Sequence, residues 1–145
     1  MEKKYFSDKL RKLGACSDGV NFAKQFKTPQ EAWDNCKDAR QMLWILFKAR
    51  EFVLHGKHHR FLVSITNAVA RTALHFAGRD KTVVKKCLDT TDKWCNGKAT
   101  IKEVRDAAYA YADAYAYADG HTKHLAKCAN LIRKLHPKAP RITAV

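Results

Sequence analysis

The sequence predicts an all-α protein, a single compact bundle of roughly five to seven helices over residues 1–145, with a central apolar helix and a long Ala-rich helix. Three observations predict it. Only three prolines and six glycines interrupt 145 residues, so elements are long. Apolar residues recur at steps of three and four rather than two. Capping signals precede several of those stripes.

Taken in order, Phe6, Leu10 and Leu13 form the stripe of a short amphipathic helix that Gly14 ends. Val20, Phe22, Ala23 and Phe26 predict a second helix of one or two turns. "TPQE" starts a third: Thr28 caps, Pro29 fits the first helical position, and Glu31 completes a capping box ahead of Ala32, Trp33 and Cys36. Asp38 caps a fourth, expected over Gln41 to Leu54, whose run Met42 to Phe47 is apolar all round and belongs in the core. After a basic turn "HGKHHR", Phe61, Leu62, Ile65, Val69, Thr72, Ala73 and Phe76 face inward, leaving His59, Arg60, Asn67 and Arg71 elsewhere on the wheel. Asp80 then caps a helix that buries Val83, Val84, Cys87, Leu88, Thr91, Trp94 and Cys95 and ends at Asn96-Gly97.

The stretch "AAYAYADAYAYADG" invites two readings. Its alternating tyrosines fit a strand, whereas a seam of Ile101, Val104, Ala108, Tyr111, Tyr115, Ala118, Thr122, Leu125, Ala129 and Ile132 fits a helix. Alanine is the best helix former and is depleted in strands, and Thr100 with Glu103 makes another capping box, so helix is the reading. Tyr109 and Tyr117 then turn away from the seam, where they can stack on bases or pack at a rim. Gly120 is a point for a kink, and Pro137 and Pro140 close the last helix.

Charge is the strongest functional signal. Lys and Arg number 28 against 14 acidic residues, a net +14, which points to an anionic partner. No acidic residue occurs between Phe52 and Arg79 or after Asp119, so two basic blocks stand out. The expected anion-binding face comprises Lys57, His59, Arg60, Arg71, Arg79, Lys85, Lys86, Lys123, Lys127, Arg133 and Lys134, with Tyr109 and Tyr117 as stacking platforms.

Other chemistries find less support. Five cysteines, an odd number set among apolar residues, read as reduced buried thiols. His121, His124 and Cys128 share a helix face without an obvious fourth ligand, so no metal site is expected. His55, His58 and His59 meet the same objection and read as phosphate contacts beside Lys57 and Arg60. "CNGKAT" lacks the upstream glycine of a phosphate loop, and no paired acid and base is visible, so neither an enzyme nor a cofactor is expected. No apolar run is long enough to cross a bilayer and the first residues are charged, giving an intracellular expectation without membrane association.

The segment "LRKLGACSDGVNFAKQFKTPQEAWDNCKDARQMLWILF", followed by "WCNGKATIKE" and the Ile132 to Pro137 ending, resembles a group of small all-helical phage and prophage proteins. Ala39-Arg40-Gln41 departs from that group's acidic and aromatic residues. The resemblance implies a mobile-element setting in a bacterial cytoplasm, among small proteins that interfere with host machinery. The expectation is a non-enzymatic binder of nucleic acid or a nucleoprotein complex, in the manner of an anti-CRISPR inhibitor of a host defence protein. Two alternatives are a homo-oligomer sequestering an anionic nucleotide signal and an interaction module for an acidic protein surface.

Overall fold

The computed structural model describes residues 2–75, 81–112 and 122–143. They form eight helices and, among the described residues, no strand: α1 Glu2–Lys12, α2 Ser17–Ala23, α3 Pro29–Asn35, α4 Ala39–Lys48, α5 Lys57–Thr72, α6 Lys81–Cys95, α7 Ile101–Ala112 and α8 Thr122–Leu135. The chain divides into two compact units, Met1–Glu51 with Thr122–Val145, and Phe52–His121.

In the first unit each helix end is fixed by local chemistry. Gly14 sits at φ +92° after α1, where its amide donates to the Arg11 carbonyl at 3.0 Å and the next amide, Ala15, donates to Leu10 at 3.0 Å. This is a Schellman stop, which needs a residue free of the Cβ penalty. At α3 the Glu31 amide donates to Thr28 Oγ1 at 3.2 Å, while the Glu31 carboxylate accepts from the Lys27 amide at 3.1 Å, one residue beyond the usual box partner, the N-cap amide. The Arg40 amide donates to Asp38 Oδ1 at 3.0 Å and opens α4.

Leu10, Val20 and Ala23 bury together against Phe6, Ala15, Ile45 and Ile142, so α1, α2, α4 and the C-terminal segment share one apolar cluster. α4 pairs with α8, where Cys128, Ala129 and Ile132 are fully buried. The expected central helix is shorter than Gln41 to Leu54: it ends at Lys48, and Val53 and Leu54 stand 79% and 67% exposed. Within α4 only Ala39, Met42 and Leu46 are buried, with Leu43, Trp44, Ile45 and Phe47 half-buried.

In the second unit α6 packs against both α5 and α7. Its buried apolar residues include Leu62 and Ile65 on α5 and Val84, Cys87, Leu88 and Trp94 on α6. α7 opens with the full capping box, the Glu103 amide donating to Thr100 Oγ1 at 3.2 Å and the Thr100 amide to Glu103 Oε1 at 3.3 Å. The Ala-rich segment therefore begins as a helix packed on α6. Its continuation through Asp113 to His121, with Tyr117 and the Gly120 kink, lies outside the described residues, as do Asp80 and Arg79 and the side chains of Tyr109 and Lys123.

Two expectations on α5 are corrected. The helical period puts Asn67 off the buried face, yet it is 6% exposed, its Nδ2 donating to the Leu88 carbonyl at 2.8 Å and to Asp92 Oδ1 at 2.7 Å. A buried amide is stable where such partners exist, and α6 supplies them. Phe61, placed inward, is 42% exposed. Cys16 is also exposed and Cys95 half-buried, so only three of the five thiols are buried.

Candidate functional site

The residues of "HGKHHR" are the start of α5 rather than a turn before it: Lys57 opens the helix and Gly56 is its N-cap. Gly56 has no side chain with which to cap, and a Cβ there would come within 2.9 Å of the Val53 carbonyl oxygen, so the tight entry excludes larger residues. The first turn carries Lys57, His58, His59 and Arg60 and no acidic residue. Cations at the positive end of a helix are unfavourable unless an anion joins them.

At the other wall α6 ends in a second Schellman stop. Gly97 at φ +74° donates to the Trp94 carbonyl at 3.0 Å and Lys98 to Lys93 at 2.7 Å. Between this stop and the first two turns of α5 lies a cleft of about 550 Å³, lined by His55, Lys57, Arg60, Phe61, Ser64, Asp92, Cys95, Asn96 and Gly97. That volume is in the range of small-ligand sites.

Arg60 is held in place. Its Nε donates to the His55 carbonyl at 3.1 Å and its guanidinium carbon lies 5.2 Å from the Trp94 ring centroid, a cation–π distance. Among the described residues neither Nη of Arg60 meets a hydrogen-bond acceptor, so the outer fork faces the cleft with its donors available. Behind it the aromatic packing is dense: His55 and His59 each meet the Trp94 ring edge-on at 5.8 and 5.7 Å, and Phe52 stacks on His59 at 5.1 Å. The His55 amide donates to His59 Nδ1 at 2.9 Å, which places the neutral ring's proton on Nε2. Burial, helped by the charge of His55, holds His59 below its ordinary pKa.

Asp92 gives the cleft one acidic group, but it is compensated. Arg71 donates to Asp92 Oδ2 from Nε at 3.1 Å and to Asp89 Oδ1 from Nη2 at 2.7 Å, and Asn67 donates to Asp92 Oδ1. Burial disfavours the Arg71 charge and these hydrogen bonds outweigh it, raising its pKa. Burial raises the Cys95 thiol above its ordinary pKa, with the Asp92 charge adding to it. Ser64 donates its hydroxyl to the Phe61 carbonyl at 2.6 Å.

The structure brings Lys57 and Arg60 into this cleft, with His59 packed behind Trp94. Arg71 and Lys85 are engaged with carboxylates, Lys85 with Asp89 at 2.8 Å. Arg133 lies in the other unit, donating to the carbonyls of Trp33 at 3.0 Å and Cys36 at 2.6 Å. Lys86, Lys127 and Lys134 are exposed with no carboxylate within 4 Å among the described residues. Sequence reasoning missed Phe61, Trp94, Asn96 and Gly97 as parts of a site. The available signal was Phe61 directly after Arg60 and one turn from Lys57.

The first unit also holds a small cavity of about 90 Å³, lined by apolar groups such as Phe6, Phe22, Trp33, Met42 and Ile142. It offers no set of convergent polar groups and is a packing feature. Among the described residues no group of three His, Cys, Asp or Glu is placed to hold a metal ion. Nor is any helix long and apolar enough to cross a membrane among the described residues. Comparison with known proteins gives no matching family model, no matching curated protein and no matching solved structure.

Proposed function

We propose that the protein is a non-enzymatic binder of phosphate groups that acts on nucleic acid or a nucleoprotein complex, with the Lys57 and Arg60 cleft as its contact point. The observation that carries this reading is the fixed Arg60 fork, whose outer donors meet no acceptor among the described residues. A planar guanidinium already held in one geometry loses little freedom when it takes a phosphate bidentately. The net +14 adds long-range attraction, and the acid-free first turn of α5 favours an anion beside it. The non-enzymatic character is supported by the nucleophile types lining the cleft: the Cys95 thiol is kept protonated by burial, and the Ser64 hydroxyl is bonded to a backbone carbonyl. The resemblance to phage and prophage proteins supplies the setting, interference with a defence system in the cytoplasm of a bacterial host.

A second reading, sequestration of a small anionic nucleotide, is favoured by the concavity of the cleft. One experiment separates the two: isolate the tagged protein from its host without nuclease treatment, at rising salt, and identify what co-purifies. Nucleic acid that leaves with salt, and is absent from the Lys57→Gln and Lys57→Gln/Arg60→Gln proteins, is the expected result. Each lost phosphate contact should flatten the log–log salt slope by about 0.7 to 0.9. A retained nucleotide selects the second reading. Protein that emerges clean, or whose companions are indifferent to salt and to both variants, overturns the proposal.

A further inference from the structure

Resting on that reading, we infer that the cleft holds an unpaired nucleoside phosphate, its phosphate on Lys57 and Arg60 and its base against the Phe61 ring. The two walls of the cleft differ in character. The α5 wall carries Lys57, Arg60 and Phe61. Lys57 and Phe61 are four residues apart on one helix face, about 6 Å along the axis, a separation of the same order as that between a nucleotide's phosphate and its base. Phe61 is a large apolar ring left 42% exposed at the rim of a polar cleft. A base has an apolar face to stack on such a ring, whichever base it is.

The α6 wall cannot take a second phosphate. Asp92 stands there as a carboxylate, compensated by Arg71 but not inverted in sign. It does present acceptors. Asn96 donates its Nδ2 to the Asp92 carbonyl at 3.0 Å, which leaves Oδ1 able to accept from the amino or imino N–H of a base edge. A site with a cationic wall, an aromatic rim and an acceptor wall matches one phosphate and one base together. Duplex presents phosphates in rails and hides both base faces in the stack, so it can use the first element only. The chemistry is shared by a free nucleotide and by single-stranded nucleic acid, and the affinities of the two tell them apart.

The test measures binding of the full chain to four probes at matched salt: a labelled single-stranded homopolymer, the same strand in duplex, inorganic polyphosphate, and a nucleoside monophosphate. We expect the single strand to bind at least about tenfold tighter than the duplex. Phe61→Leu, which keeps apolar bulk, should weaken single-strand binding about tenfold, the effect of losing one stacked base. Phe61→Tyr should restore it, and polyphosphate binding should not respond to either change. A monophosphate that competes as well as the strand identifies a free nucleotide as ligand, and a much weaker one identifies the strand; both agree with the inference. Duplex bound as tightly as single strand, or single-strand affinity that drops in Lys57→Gln/Arg60→Gln but not in Phe61→Leu, overturns this inference and leaves the broader one standing. Absence of binding to all four probes overturns both.

Discussion

Arg133 donates from one nitrogen, Nη1, to the carbonyls of Trp33 at 3.0 Å and Cys36 at 2.6 Å, closing the C-terminal end of α3 from a distance of about a hundred residues in sequence. Around it, Trp33 Nε1 donates to the His136 carbonyl at 3.0 Å and Gln30 bonds both the Pro137 carbonyl and the Ala139 amide. The "EAW" motif and the "IR" to proline ending are thus two halves of one clasp. This clasp lies in the first unit, whereas the residues that line the cleft belong to the second.

Arg133→Met should therefore cost stability and spare ligand binding. Two backbone carbonyls at the end of α3 lose a charged donor, worth about 1.5–3 kcal/mol. Arg133→Lys should recover only part, since an ammonium lacks the planar fork that also reaches Asn130. Urea denaturation reads the first effect, and oligonucleotide affinity below the unfolding midpoint reads the second. Weakened affinity at unchanged stability would place Arg133 in the binding face after all.

Asn67→Ala should destabilise the α5 and α6 pair by about 1–3 kcal/mol. The substitution strips the Leu88 carbonyl and Asp92 Oδ1 of a buried donor and leaves a cavity in a closely packed layer. Asn67→Asp should be worse, because it sets a second carboxylate beside Asp92. Thermal melts of both variants check the order. Equal melting temperatures for all three proteins would mean that water replaces the amide without loss.

Helix ends were far more legible in the sequence than helix faces. Thr28, Asp38 and Thr100 were read as caps and Gly14 and Gly97 as stops, because a cap is satisfied by backbone two or three residues away. The start of α5 was not legible: Gly56 caps without a side chain, so nothing marked Lys57 as helical. Asn67 and Arg71 escaped for the opposite reason. Whether a polar side chain turns inward depends on its partners, here Leu88, Asp89 and Asp92 some twenty residues on, and no periodicity records them. The cleft shared that fate, since it joins the start of one helix to the end of the next. Charge alone points to Lys57 and Arg60, whereas the helical period of Phe61 with Leu62 and Ile65 points to the core although the ring stands 42% exposed.

The five thiols should separate by reactivity. Cys16 is exposed before α2, whereas Cys36, Cys87 and Cys128 are buried, and burial raises the pKa of Cys36 and Cys87. Only the thiolate reacts, so a maleimide at neutral pH should label Cys16 first, with the half-buried Cys95 next and the other three modified only as the protein unfolds. Mass mapping after graded exposure checks the order. Early labelling of Cys36 would mean that the α3 clasp opens readily.

Stability should fall in two steps as the solution is acidified. Burial and the neighbouring His55 charge hold His59 below its ordinary 6.5, hydrogen bonds from Arg40 hold Asp38 below 3.8, and hydrogen bonds from Lys85 and Arg71 do the same for Asp89. In all three the unfolded chain takes up its proton at higher pH than the folded one, so protonation favours unfolding. The His59 contribution is complete above pH 6.5 and is lost as pH falls below it; the carboxylate contributions persist until pH falls below 3.8. His59→Gln should abolish the first step and leave the second, while Asp38→Asn should reduce only the second. Denaturant midpoints taken between pH 8 and pH 3 test both, and a first step that survives in His59→Gln would assign it to another histidine.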